Sequence, residues 1–161
     1  MINAYDVYAE FNPGFCASVL QNFIEAYMAI QPTGPELPVL YLALPIVLSG
    51  ELQVSFQGTN RNTGLLEWLN RNPYIYIDLA ARINSSTNIA SEAIRFACFS
   101  KILNVGKDAR CTLGDKTIKK KLFKNLSQES EQTLKRAQKL GYWFADAGTT
   151  KTIFNISGIS L

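Results

Sequence analysis

Apolar side chains recur along this chain at helical spacing in several stretches and alternate in others, and breaker residues separate the stretches. Residues 1–11 read as irregular or briefly extended. Asn12-Pro13 then opens a helix, with Asn12 as the cap and Pro13 in the first turn, where its missing N–H costs nothing. Phe15, Val19, Leu20, Phe23, Ile24 and Tyr27 fall on one face of that helix. Gln31-Pro32-Thr33-Gly34-Pro35 is a loop. Leu37 to Leu48 is nearly all apolar and reads as a buried core helix, kinked near Pro45 and ending at Ser49-Gly50. In residues 51–61, Leu52, Val54 and Phe56 alternate with polar neighbours, which predicts an extended connector and a candidate strand.

The stretch Asn62–Gly114 predicts three short helices and a tight hairpin. Gly64 to Asn70 is the first helix. Asn72-Pro73 starts the second, with Ile75, Leu79, Ala80 and Ile83 on its apolar face. Asn84-Ser85-Ser86-Thr87 reads as a turn that offers capping hydroxyls to a third helix over about 88–103. Ile102-Leu103-Asn104-Val105 and Ala109-Arg110-Cys111-Thr112-Leu113, joined by Gly106-Lys107-Asp108, read as two strands. The expected fold is therefore mainly α with a small β-hairpin. A winged-helix-like core at about 62–114 is flanked by N-terminal helices and a connector in 1–61 and by C-terminal helices in 115–161, all in one domain. Winged helices bind DNA and also bind proteins, so this outline does not decide function.

Beyond the hairpin, Asn125-x-x-Gln128 resembles a capping box that opens a last long helix at about 126–147. Leu134, Ala137, Leu140, Gly141, Phe144 and Ala147 form its apolar stripe, and Gly148 closes it. The tail from Thr150 to Ile159 reads as one short capped helix, with a strand as the alternative.

Composition changes this picture in three ways. The chain of 161 residues is long enough to bury a core, and at 18% charged residues it is less charged than average, which points to apolar surface covered by a partner. The net charge of +3 hides an asymmetry. Residues 1–100 set four arginines and no lysine against eight carboxylates, a net −4, whereas residues 101–161 set twelve cations against five carboxylates, a net +7. Finally, there is no histidine, and Cys16, Cys98 and Cys111 lack metal-ligand spacing, so no four-ligand zinc site can be assembled. The odd cysteine count and the N-terminus, which has no basic leader region, fit a reducing cytoplasm with the thiols as small core residues. The longest apolar run is too short and too interrupted by proline to span a bilayer.

Candidate chemistry is sparse. Without histidine, neither Ser-His-Asp nor Cys-His catalysis is available. Gly106-Lys107 is followed by Asp108 and is not a phosphate-binding loop, and the carboxylates Glu25, Glu67, Asp78 and Glu92 are scattered. No enzymatic role, cofactor or metal is expected. Lys116, Lys119, Lys120, Lys121 and Lys124 offer contacts to DNA phosphates or to an acidic partner, with a solvated loop as the bland alternative. The expected recognition helix carries only Arg95 and Lys101 as cations among Ile89, Ala90, Ala93, Ile94, Phe96, Ala97, Cys98 and Phe99. Sequence-specific DNA reading needs polar side chains on that face, so this helix is expected to be buried in the domain or against another protein. Tyr142 and Trp143 either pack on the N-terminal helices or, with Phe154, anchor a protein interface.

Taken together, the motifs carry a resemblance. Asn12-Pro13-Gly14-Phe15, Leu44-Pro45-Ile46-Val47-Leu48 and Thr63-x-Leu65-x-x-Trp68-Leu69-x-x-Asn72-Pro73 resemble the middle component of bacterial three-component ABC systems, the defence operons that include Lamassu-type systems. So do Glu92-Ala93-Ile94-x-Phe96-Ala97, Leu140-Gly141-x-Trp143-Phe144 and Thr152-Ile153-Phe154-x-x-x-Gly158-Ile159. Two positions depart from the pattern: Tyr142 stands where a basic residue is expected, and Ser49 where a histidine is common. The resemblance implies a non-catalytic adaptor in an anti-phage complex, bridging an SMC- or Rad50-like ABC ATPase and an effector, commonly a nuclease. In that setting Lys119, Lys120, Lys121 and Lys124 would face DNA or an acidic ATPase surface, and the surface around Trp143 and Phe154 would meet a partner. The competing class is a stand-alone winged-helix DNA-binding regulator.

Overall fold

The computed structural model describes residues 12–119 and 127–160. Its elements are α1 (Pro13–Met28), α2 (Leu37–Leu48), a 3-10 helix (Gly50–Phe56), α3 (Leu65–Arg71), α4 (Ile75–Phe99), β1 (Leu103–Val105), β2 (Cys111–Leu113), α5 (Gln128–Ala147) and α6 (Thr150–Ile156). The chain is mainly helical with one two-stranded antiparallel sheet, in the class its pattern predicts.

Asn12 and Gly148 act where the sequence places them, whereas α5 opens at Gln128 behind Ser127, later than the expected start. The Asn12 side chain accepts from the N–H groups of Gly14 and Phe15, at 2.8 and 3.3 Å. Ser127 caps α5 by accepting from Ser130 N–H at 3.3 Å, and Asn125 lies outside the described residues. Gly148 ends α5 at φ 107°, and Thr149 caps α6, which settles the tail as a helix. Residues 1–11 also lie outside the described set.

The core forms where α1, α2 and α5 meet. Val19, Leu20, Phe23, Ile24 and Tyr27 of α1 are buried, as is the run Leu42–Leu48 of α2. Ala137, Leu140 and Phe144 of α5 pack among them, and the Phe144 ring meets Phe23 edge-on at 5.6 Å. Gly141 lets α1 and α5 approach closely, since a Cβ built there would lie 2.3 Å from the Phe23 carbonyl oxygen. A second aromatic cluster stacks Trp143 on Phe56 at 5.7 Å with Trp68 beside both, and Trp68 Nε1 donates to the Ser55 carbonyl at 3.2 Å.

Three expectations are corrected. The turn at Asn84–Thr87 does not exist: α4 runs unbroken for 25 residues, so two helices rather than three precede the hairpin, and the winged-helix outline lacks its separate third helix. Thr87 Oγ1 donates to the Ile83 carbonyl at 3.1 Å and Ser85 Oγ to that of Arg82 at 3.1 Å, which satisfies these hydroxyls without leaving the helix. The residue pair Asn72-Pro73 does not cap α4. Asn72 instead closes α3, its Nδ2 donating to the Trp68 carbonyl at 2.8 Å. Residues 50–56 are a 3-10 helix and not a strand; Leu52 and Phe56 are buried while Val54 between them is 66% exposed.

The hairpin pairs Leu103 with Leu113 and Val105 with Cys111. The 31–37 loop closes against β2: Cys111 N–H donates to the Pro35 carbonyl at 2.7 Å and Leu37 N–H to that of Ala109 at 2.8 Å. Gly34, at φ +77°, makes this fit, because a Cβ there would meet the Cys111 carbonyl oxygen at 2.0 Å.

Candidate partner-binding surface

α4 is held at its two ends. Ile75 and Leu79 bury the first turns, and Ala90, Ala93, Ile94 and Ala97 bury the last. Between residues 80 and 89 no residue is fully buried, and Ile83 and Ile89 are half-buried against the core. There Ile83, α2 residues Leu37, Pro38, Tyr41 and Leu42, and Phe154 of α6 enclose an open cleft of about 250 Å³. Its one polar group is already engaged, since the Tyr41 hydroxyl and Ser91 Oγ share a hydrogen bond of 2.8 Å. Such a lining can hold an aliphatic or aromatic side chain, each worth about 1.5–3 kcal/mol on full burial. It offers no group to orient a polar substrate.

Apolar side chains also project outside this cleft. Ile77 is 81% exposed and Phe99 92% exposed, at opposite ends of α4. The expected recognition helix is thus half as buried as its composition suggests: its alanines and Ile94 face the body, while Phe96 and Phe99 face outward. Ile77 lies off the apolar face that Ile75, Leu79, Ala80 and Ile83 define in the sequence. Its offset from that face is the signal that could have found it.

The predicted contact residues separate. Phe154 lines the apolar cleft and is itself 6% exposed. Trp143 is fully buried, with Nε1 donating to the Asn60 carbonyl at 3.0 Å, so it is a core residue and presents no surface to a partner. It packs on Phe56 and Trp68. Tyr142 is half-buried beneath Arg61, whose guanidinium carbon sits 4.0 Å from the ring centroid. The other departure from the family pattern also meets an arginine, as Arg82 Nη1 donates to Ser49 Oγ at 2.9 Å. A guanidinium from another element therefore stands at both positions.

Of the lysine run, Lys116 and Lys119 follow the hairpin, whereas Lys120, Lys121 and Lys124 lie outside the described residues. This stretch is tied down by main-chain contacts. Lys116 N–H donates to the Lys101 carbonyl at 2.9 Å. The buried Gln21 clasps Ile118 from both sides, accepting from its N–H at 2.9 Å and donating to its carbonyl at 3.3 Å. The Lys116 and Lys119 side chains are exposed, as are those of Lys101 before the hairpin and Lys107 in its turn. Arg110 is engaged, donating to the Gly34 carbonyl at 2.8 Å and pairing with Glu36 at 3.5 Å.

Among the described residues no group of three or more His, Cys, Asp or Glu side chains could hold a metal ion. Burial pushes the Cys16 and Cys111 thiols up to about 12. Cys98 is raised by burial as well. None of the three is poised as a nucleophile, which requires a lowered pKa. Among the described residues no single helix is long and apolar enough to cross a membrane.

Comparison with known proteins agrees with what these surfaces offer. No curated protein and no solved structure matches the chain. A family model does, over residues 5–161: ABC-three component (ABC-3C) system Middle Component 3. Because the match spans nearly the whole sequence, the chain belongs to the family of middle components of ABC-three component systems.

Proposed function

We propose that this chain is the non-catalytic adaptor of a cytoplasmic anti-phage complex of Lamassu type. In this reading it bridges an SMC- or Rad50-like ABC ATPase and an effector nuclease and governs the effector's release or activation. The observation that carries the reading is the family match over residues 5–161, which makes the chain a middle component and so one part of a larger system. The exposed apolar surface supports it: a cleft without polar anchors, and Ile77 and Phe99 at the two ends of one helix, suit protein contacts better than substrate turnover. The lysines after the hairpin would face DNA held by the ATPase, or an acidic surface of the ATPase itself.

The test is co-expression with the proteins encoded beside it, followed by size-exclusion chromatography. Co-elution with a coiled-coil ATPase is expected. Ile77→Glu and Ile83→Glu, which place a carboxylate on α4 without emptying the core, are each expected to reduce that co-elution. Elution alone, as a dimer that binds duplex DNA at physiological salt, would overturn the adaptor reading in favour of a stand-alone DNA-binding regulator.

A further inference from the structure

On another face of the molecule, the 3-10 helix and the first turns of α5 lie side by side and leave an open groove of about 770 Å³. It shares no lining residue with the apolar cleft. Gln53 and Gln57 stand on one side, and Gln128 and Gln132 on the other. Lys135, Arg136 and Lys139 continue the α5 wall, on one helical face with Gln128 and Gln132. Against these three cations the lining holds one carboxylate, Glu129, which already accepts from Gln53 Nε2 at 2.6 Å.

Lys139 is the most telling of the cations. Its Nζ donates to the neutral Thr59 hydroxyl at 3.3 Å, and no ion pair reaches it among the described residues. Burial, then the neighbouring Arg136 charge, hold its pKa below the usual lysine value. Among the described residues Lys135 is paired only with Glu131, one helical turn away, in an exposed contact of 3.4 Å that water and salt weaken. An arriving anion would give Lys139 a charged partner, which no described residue supplies.

We infer that this groove binds an extended acidic segment of a partner protein, with Lys135 and Lys139 holding its carboxylates and the glutamine amides pairing with its backbone. Three features favour a peptide over a nucleic acid. Side-chain amides both donate and accept, which matches the alternating N–H and C=O groups of an extended chain, whereas a sugar–phosphate backbone has no N–H to offer their carbonyls. Phe56, the one aromatic ring in the lining, is 4% exposed, so no ring is free for bases to stack on. Val54 is 66% exposed and offers an apolar contact to side chains between the acids.

The full chain, purified alone, is titrated into a fluorescein-labelled peptide of alternating Glu and Leu and, separately, into a labelled oligothymidylate of equal length. Fluorescence anisotropy reads both. Saturable, salt-sensitive binding of the peptide is expected, weakened about tenfold by combining Lys135→Glu with Lys139→Gln. The single exposed change Lys135→Glu is expected to weaken it several-fold and keeps the test open should the double variant fold poorly. With the unmutated protein, amide resonances of Gln53, Gln57, Gly58 and Gln132 are expected to shift on peptide addition. Absence of saturable binding, indifference to the lysine changes, shifts confined to other regions, or equal binding of oligothymidylate through the same lysines would overturn the inference.

Discussion

Gly141→Ala tests the packing on which every surface described above depends, and it sets two physical effects against each other. In an isolated helix, replacing glycine with alanine gains roughly 0.8–1.0 kcal/mol of propensity. Here the new methyl carbon would sit 2.3 Å from the Phe23 carbonyl oxygen and 2.9 Å from the Ala26 Cβ. Ordinary carbon–oxygen contact begins near 3.3 Å, so α1 and α5 would have to part by about 1 Å. A gap of that size forfeits roughly a quarter to a half of each dispersion contact along the crossing. The helices cannot part freely, because Gln138 Nε2 donates to Asn22 Oδ1 at 3.2 Å on one side of Gly141 and Gln31 Nε2 to the Ala145 carbonyl at 2.6 Å on the other. Overpacking of this kind costs roughly 1–3 kcal/mol, and its upper end applies where backbone rather than a flexible side chain is struck. After the propensity gain, the net loss is about 2 kcal/mol, or roughly 4–8 °C in Tm for a domain of this size. Urea unfolding followed by the fluorescence of the buried Trp68 and Trp143 measures it. Gly50→Ala, whose Cβ would meet nothing within 4 Å, is the control and should stay within about 0.5 kcal/mol of the parent. A Gly141→Ala midpoint equal to or above the parent would refute the close crossing of α1 and α5.

Three further outcomes are expected. Trp143→Phe removes the indole N–H that donates to the Asn60 carbonyl, which still accepts from Thr63 N–H, and should lower stability by about 0.5–1.5 kcal/mol in urea unfolding, while the folded variant keeps its affinity for partner proteins in pull-down titration; lost affinity at full folding would restore the anchor role. Asn12→Ala removes the acceptor for the first N–H groups of α1 and should cost about 1 kcal/mol by the same unfolding assay. The buried thiols make stability depend on pH in the alkaline range: an unfolded thiol loses its proton near 9.0 and the folded Cys16 and Cys111 near 12, so between these values the unfolded state binds fewer protons and stability falls as pH rises. The urea midpoint should therefore drop between neutral pH and pH of about 10.5 more steeply than in a Cys16→Ala, Cys111→Ala double variant, and a maleimide at neutral pH should label Cys98 ahead of the other two.

The elements that could be read from the chain are those in which local chemistry and periodicity agree. α1 has a cap and an N-terminal proline that both hold in the structure, although the helix is buried all round from Cys16 to Ile24 rather than along one apolar face. The hairpin was legible from Gly106-Lys107-Asp108 between two apolar runs, and α5 from its stripe and Gly148. The 3-10 helix shows where periodicity alone is ambiguous. Positions 52, 54 and 56 share a face in a strand, whereas with three residues per turn a 3-10 helix sets 52 over 55 and carries 56 beside them, so Val54 and Ser55 discriminate, and Ser55 is buried. A half-buried strand would bury Val54 with its neighbours, and the structure exposes it.

α4 was misread for a different reason. Asn, Ser and Thr at 84–87 favour turns because their side chains compete for backbone groups, but each such residue costs a helix less than about 0.7 kcal/mol relative to alanine. Burial of Ile75 and Leu79 at one end and of Ala90, Ala93 and Ala97 at the other can outweigh that cost, and it requires the two ends to lie on one straight axis. The same polar stretch borders a site that no local pattern announces. Asn84, Ser85 and Thr87 stay exposed, and next to them Ile83, α2 and Phe154 line the apolar cleft. The residues that misled the secondary-structure reading are thus the ones that border the candidate site.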